Sequence, residues 1–384
     1  MKTLLLKQIL PILASVIVFF GSWSLFAGHL HENEKERMLG ETLQNQGAEQ
    51  AAIQKKGIED GTGEQPNTLP SPSDVWSSAI ILWEDHLEIS GKKDDFIAKT
   101  AEVNKKLKAQ GKAEITYTGR PSFVDQIITS LVTVFSGFLL AAFIAIPLGI
   151  ITGLSPTLKT SISWIIQILR PVSPVVWFLL VYMIVIPILK DSEADKAYIV
   201  SFIAVGLCAM WATLVNTAMG VASVSPDYVN VSKVLKLSTF KNVFKIIIPS
   251  SIPLIFTGLR ITLSVSWMVL IAIELLAQNP GLGSFVWEEF QNGSSVSNAK
   301  IIVAMFIIGI IGFILDQIMA TVQKLASFNA PRVAVGELFI IGGLVLFTLI
   351  MTFFKIGWIY PFVVLAGIFG AGIYNYKTKS VTSA

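Results

Sequence analysis

An all-α polytopic membrane protein is the fold class that this sequence predicts, and three observations carry the prediction. Of the 384 residues only 14% are charged and 53% are hydrophobic, against about 25% charged in soluble domains. Apolar runs long enough to cross a bilayer, about 20 residues each, recur along the chain; residues 197–226 contain no Lys, Arg, Asp or Glu. Lysine and arginine gather in alternate loops, as the positive-inside rule requires of a multi-span chain. The formal net charge of +3 is too small to suggest a nucleic-acid partner. Cys208 is the single cysteine, which leaves no disulfide framework and no thiol metal site within one chain.

Candidate spans lie at 8–28, 126–152, 162–189, 198–220, 250–276, 300–322, 334–354 and 357–375. The last is short and Gly-rich; the count is eight, within a range of five to eight. Residues 1–28 follow Lys2 and Lys7 with an apolar run too long for a signal-peptide core, and "LFAG" is a poor cleavage site. They are read as a retained N-terminal anchor helix. Lys2 and Lys7 place the N-terminus in the cytoplasm. Lys159, the lysines of 230–249, Lys324, Arg332, Lys377 and Lys379 then fall inside as well. The loop 277–299, with Glu288 and Glu289, falls outside, as does 190–197 with Asp191, Glu193 and Asp195. Lys190, Lys196 and Lys355 are mild exceptions.

Residues 29–122 form one long extracytoplasmic segment. Its first part, 29–68, is polar and reads as poorly ordered; His29 and His31 are taken as solvated loop residues rather than a metal pair. "SPSDVWSSAIILWEDHL" predicts a helix near 73–86, capped by Ser73. Val75, Trp76, Ala79, Ile80 and Trp83 give it an apolar face suited to the outer membrane surface. Residues 88–122 read as a charged insertion with one helix at about 94–110. Residues 123–328 hold the transmembrane core, and 329–384 a C-terminal pair of spans with no assignable role.

Several chemistries are missing. The nearest string to a Walker A motif, "HLEISGKKDD", has His86 where Gly is needed and Lys93 where Ser or Thr is needed. There is no HExxH and no GxSxG. Few ionisable residues enter the spans: Arg170, Arg260, Glu274 near an outer end and Asp316 near an inner end. Proton-driven carriers and intramembrane enzymes usually need more. The chain is therefore not read as an enzyme, and no cofactor is implied; energy for any transport must come from a partner.

Between the fourth and fifth spans lies the loop 226–249, with Lys233, Lys236, Lys241 and Lys245. Ser225-Pro226-Asp227 is a strong helix start: a cap, Pro in the first turn and an acid at the positive dipole end. A helix from Pro226 to about Leu237 gathers Val231, Val234 and Leu235 on one face and the lysines on the other. Ser238 and Thr239 break it and start a second helix, with Phe240, Val243, Phe244 and Ile247 apolar, before Pro249 and Pro253 lead into the next span. Two readings fit: an interfacial helix pair held to anionic lipid, or a docking element for a cytoplasmic protein.

The same loop resembles the E-A-A-x3-G-x9-I-x-L-P signature of the permease subunits of binding-protein-dependent ABC importers. Asn230 stands at the Glu position, Val231 and Ser232 at the Ala positions, Lys236 at the Gly position, and Ile246, Ile248 and Pro249 close the pattern at the right spacing. "SFVDQIITSLVTVFSGFLLAAFIAIPLGIITGLSP" and "LPSPSDVW" resemble the branch that imports nitrate, sulfonates, taurine and bicarbonate. "ILRPVSPVVW", "CAMWATLVNTAMGVASVSPDYVNVSKVL" and "GLGSFVWEEFQN" are similar to its nitrate-type members. The likeness covers about 69–86 and 123–328; the insertion 88–122 and the spans after Asn329 depart from it.

The resemblance implies a type I importer (MetI-like) helical core in a bacterial inner membrane. It implies two permease subunits, here a homodimer, cytoplasmic ATPases docked on the loop residues named above, and an extracytoplasmic solute-binding protein. It implies ATP-driven import of a small anion: nitrate or nitrite first, with bicarbonate, cyanate, taurine or another sulfonate as alternatives. A secondary carrier or channel, or a lipid-binding scaffold, are the rivals of another class. For the pathway, arginine planes suit a flat oxyanion. Arg170 lies near Ser173 and Trp177; Arg260 shares a helical face with Thr257, Ser264 and Trp267, and Glu274 follows near the outer mouth. These eight are the candidate path or gate. Arg170 and Arg260 could instead snorkel, Arg260 could pair with a carboxylate, and Trp177, Trp211 and Trp267 could simply pack.

Overall fold

Helix is the only regular secondary structure among the described residues. The computed structural model describes residues 2–326 apart from Ala113, Asp191, Glu193 and Gln278; the expected spans 334–354 and 357–375 lie outside them. In order come α1 (Lys2–Gln46), α2 (Ala48–Glu59), α3 (Pro72–Ala109), α4 (Phe123–Leu154), α5 (Pro156–Leu169), α6 (Pro174–Ile188), α7 (Lys196–Ala222), α8 (Pro226–Val234) and α9 (Thr239–Asn242). A π-helical turn, Val243–Ile247, then leads into α10 (Ile248–Ala277), α11 (Leu282–Asn292) and α12 (Ser295–Ala326). Five stretches are long and apolar enough to cross a membrane, and α5 with α6 makes a sixth if the bent pair is one span.

Four expectations need correction. Residues 29–59 are helical, not irregular: α1 runs on from its apolar part to Gln46 and α2 follows. Ion pairs one turn apart, Arg37 with Glu34 and Glu41, support that polar half of α1, and His29 and His31 sit on it. Residues 73–109 form one helix, α3, with no break before the insertion. Its cap is Ser71 rather than Ser73: the Ser71 hydroxyl accepts from the Asp74 N–H, and Asp74 accepts from the Ser71 N–H at 2.9 Å, a complete capping box. The span expected at 162–189 is broken, because Pro171 and Pro174 cannot continue a helix; α5 and α6 meet at 102°.

The chain divides into two compact units. The first comprises Met1–Thr133 with Leu270–Ile310. Here Phe123 packs on Phe285, ring centres 4.7 Å apart, and Leu270, Ile273 and Leu282 are fully buried. Trp23 lies against Phe306 and donates its indole N–H to the Pro70 carbonyl at 3.1 Å. The Asn67 amide donates to Gly293 O at 2.7 Å, tying the 60–71 connection to the turn after α11.

The second unit comprises Val134–Val269 and the described residues from Ile311. Helix α7 is its centre. Glycines let α4 approach it closely: a Cβ at Gly149 would stand 2.6 Å from Thr217 Cβ, and one at Gly153 2.6 Å from Val221 Cβ. Small residues four apart are a common packing device between membrane helices. On its other side α7 meets α10, where a Cβ at Gly258 would stand 2.8 Å from Thr213 Cα. The Thr213 and Thr262 hydroxyls lie 2.7 Å apart in the same contact. With Gly258 and Thr262 turned to α7, the helical period brings Thr257, Arg260 and Ser264 to another face of α10.

Candidate functional site

That face of α10 and one face of α12 form an open cleft of about 440 Å³. Thr257, Arg260 and Ser264 line it together with Ile261, Val265 and Met268 from α10 and Asp316 and Gln323 from α12. Its chemistry is concentrated in one pair. Arg260 Nε donates to Asp316 Oδ1 at 2.7 Å and Nη2 to Oδ2 at 2.6 Å, a bidentate fork. Both side chains are about one third exposed, at 37% and 31%. Beside it the Gln323 amide donates to the Thr257 hydroxyl at 2.8 Å. The Thr257 and Ser264 hydroxyls donate to carbonyls one turn back on α10, Pro253 and Arg260. Ile261, Val265 and Met268 supply an apolar wall.

The other predicted path residues are placed differently. Trp267 is buried, its ring against Gly312 of α12. Trp177 is buried in a core cluster with Ala141, Ala145, Met210 and Leu214, 6.2 Å from the ring of Trp211. Arg170 and Ser173 are exposed at the α5–α6 bend. Glu274 belongs to the first unit and is fully buried. There the Ser130 hydroxyl donates to its carboxylate at 2.7 Å, the Gly283 N–H donates at 3.0 Å, and the Leu282 N–H donates to Ser130 Oγ at 2.9 Å. Leu282 and Gly283 open α11, so the carboxylate and Ser130 satisfy two amides that a helix start leaves unpaired. The two glycines permit this approach: a Cβ at Gly281 would collide with the Glu274 carboxyl, and one at Gly283 with the Ile271 carbonyl.

The loop 226–249 is the second feature of the Val134–Val269 unit. Its helix α8 is shorter than the sequence predicts, ending at Val234. The Ser225 hydroxyl caps it, accepting from the Asp227 N–H. The chain then turns through Lys236, whose φ of 47° is the single positive φ among the described non-glycine residues. Side chains disfavour this left-handed backbone and glycine accepts it. Ser238 accepts from the Lys241 N–H and starts α9. Ser232 is buried, whereas Tyr228, Val231, Val234, Leu235, Phe240 and Phe244 are exposed, Val234 by 81%. The Phe240 and Phe244 rings pack at a tilt, their centres 4.4 Å apart. Asn230 and all four lysines are exposed; Ile246, Ile248 and Pro249 are half-buried where the loop enters α10. The loop thus carries six exposed large apolar side chains on one short segment.

Residues 145–327 match the family described as "Binding-protein-dependent transport system inner membrane component". The nitrate import permease protein NrtB of Synechococcus elongatus is 36% identical over 53% of this chain and 69% of its own length. The chain belongs to this family. The permease is thus a multi-pass inner-membrane protein and the non-catalytic subunit of an ABC importer, which works with ATPase subunits and a binding protein. Its second similarity is to the bicarbonate transport system permease protein CmpB of Synechocystis, 39% identical over 53% of this chain and 68% of that one. A third is to the taurine transport system permease protein TauC of Escherichia coli, 30% identical over 55% and 74%. A solved structure of the MetNI methionine ABC transporter covers 53% of the permease and 95% of that chain at 13% identity, with a TM-score of 0.47.

Sequence reasoning missed the polar cleft residues Asp316 and Gln323 as site members, along with the apolar Ile261, Val265 and Met268. The spacing of seven between Asp316 and Gln323 puts both on one face of α12. Arg260 and Asp316 both lie towards the inner ends of their spans, the signal that could have paired them.

Proposed function

We propose that the permease carries a small oxyanion inward, nitrate or nitrite first, and that the loop 226–249 is the cytoplasmic seat of its ATPase. The observation that carries the substrate reading is the Arg260 fork. A guanidinium in an open cleft already holds one planar oxyanion group, the Asp316 carboxylate, bidentately. Nitrate and bicarbonate offer the same flat arrangement of oxygens, and such permeases carry a solute without chemically changing it. Relatives named for nitrate, bicarbonate and taurine transport agree on the small-anion class. Bicarbonate is the second reading, because CmpB is as similar as NrtB.

The seat reading is supported by the exposed apolar face of α8 and by Lys236. Its left-handed backbone stands where the family signature carries glycine. Short capped helices transmit a partner's rigid-body motion without bending. On this reading the N-terminus is cytoplasmic, two copies of the permease pair to form the pathway, and a binding protein delivers the anion from outside.

The test is uptake into proteoliposomes holding the permease, its ATPase and its binding protein. ATP-dependent accumulation of nitrate, with weaker bicarbonate and taurine signals, is the expected result. Accumulation that persists without the ATPase would show a secondary carrier or channel instead. Preference for taurine, cyanate or bicarbonate would move the substrate.

A further inference from the structure

We infer that Arg260 is the anion subsite of the permease and that Asp316 is its internal occupant, a tethered carboxylate that the transported oxyanion must displace. The inference rests on the oxyanion reading above. Three observations lead to it. Asp316 takes the Nε and Nη2 edge of Arg260 at 2.7 and 2.6 Å, the edge a guanidinium offers to carboxylates and to other flat oxyanions alike. The pair is open: both groups line the cleft and each is about one third exposed, so a dissolved anion can reach the same edge. Hydrogen-bond donors stand beside it but are turned elsewhere. The Gln323 amide rests on Thr257, and the hydroxyls of Thr257 and Ser264 rest on carbonyls of their own helix.

These facts favour exchange over addition. A second anion beside Asp316 on one guanidinium meets like-charge repulsion at close range. An anion that replaces the carboxylate keeps the whole fork and gains Gln323, Thr257 or Ser264 by side-chain rotation. The pair is about one third exposed on an open cleft and not sealed in the core, so modest affinity suffices to open it. The closed pair then lowers apparent affinity by the fraction of molecules in which Arg260 is free. This suits a permease that must release its anion once the pair re-forms. It also links the solute to the α10–α12 contact, since the anion undoes the ion pair between those helices.

The experiment is calorimetric titration of sodium nitrate, at constant ionic strength, into the permease–ATPase complex in nanodiscs without binding protein. If the pair is closed in about nine of ten complexes, Asp316→Asn tightens nitrate binding about tenfold. Adding Arg260→Gln to that variant abolishes the binding. Asp316→Ser gives the same reading should the Asn variant fail to assemble. Unchanged, weaker or undetectable nitrate binding in the Asp316 variants overturns the inference and leaves the pair as a brace, which has no means of raising affinity. ATP-driven uptake of nitrate or bicarbonate by the unchanged transporter separates the two claims. Uptake with no Asp316 effect removes only the latch; absence of uptake removes the oxyanion reading beneath it.

Discussion

Glu274 and Asp316 are both carboxylates on apolar helices, yet their surroundings are opposite. Glu274 is fully buried, and its partners are neutral: a serine hydroxyl and the main-chain N–H of Gly283. Asp316 is one third exposed and pairs with a charged side chain in an open cleft. A carboxylate out of water must have its oxygens satisfied by groups that stay in place, and the Gly283 N–H at the start of α11 and the buried Ser130 hydroxyl do so. An exposed ion pair contributes only about 0.2–1 kcal/mol, so its partners can separate. Depth in an apolar helix therefore does not mark a pathway residue. What separates the two is whether the partners are buried, fixed groups or an exchangeable side chain. The same division distinguishes α8, whose apolar face is left open, from the closed packing of α7.

The largest effect expected is at the buried carboxylate. Glu274→Ala takes the acceptor from the Ser130 O–H and the Gly283 N–H and opens a cavity, a loss of about 2–4 kcal/mol. Thermal unfolding of the detergent-solubilised permease reads it as a fall in melting temperature. Gly283→Ala should fall similarly, because its Cβ meets the Ile271 carbonyl. A melting temperature unchanged by both variants would break the comparison at its buried end.

A charge on the open face of α8 should act the other way. Val234→Asp or Leu235→Asp replaces a side chain that packs on little of the permease itself, so melting of the permease alone should hold within about 0.5 kcal/mol. Retention of the ATPase on the purified complex should drop at least about tenfold, or about 1.4 kcal/mol. Retention equal to the unchanged chain would remove the seat and favour a lipid contact, which a flotation assay with anionic vesicles then detects.

Much of this was legible in the sequence, for local reasons. Hydropathy marks the spans because a bilayer imposes a length rule on each segment separately. The start of α8 followed from Ser225-Pro226-Asp227, and three cleft residues followed from one helical face, Thr257, Arg260 and Ser264. The polar half of α1 was misread, since Glu, Gln and Lys suit a solvated helix as well as a disordered tail, and only packing decides; Lys35 with Glu59 ties α2 back on it. The α5–α6 bend was visible as two prolines, but its 102° angle was not. Arg260 and Asp316 are 56 residues apart, a pairing that no periodicity encodes.

At the exposed carboxylate the stability effect should be small. Asp316→Asn should shift the melting free energy by less than about 1 kcal/mol, well under the Glu274→Ala loss. Equal losses at the two positions would mean that the Arg260 pair braces α10 against α12 and is not free to open.

The smallest effect tests whether the open regions carry strain for a purpose. Lys236 holds a φ of 47° in a loop whose side chains face outward. A side chain in the left-handed region costs about 1–2 kcal/mol, and glycine there loses about 0.5–1 kcal/mol to its extra unfolded freedom. Lys236→Gly should therefore stabilise the permease by about 0.5 kcal/mol, read by the same melting assay. Lys236→Val should lower it, because a β-branched side chain tolerates the left-handed backbone least. The lysine charge can be separated from the backbone by Lys236→Asn, since Asn visits this conformation readily. If Asn melts like the unchanged chain yet binds the ATPase more weakly, the ammonium contacts the partner. If Asn retains the ATPase in full, the turn alone matters, and position 236 serves the seat through its backbone.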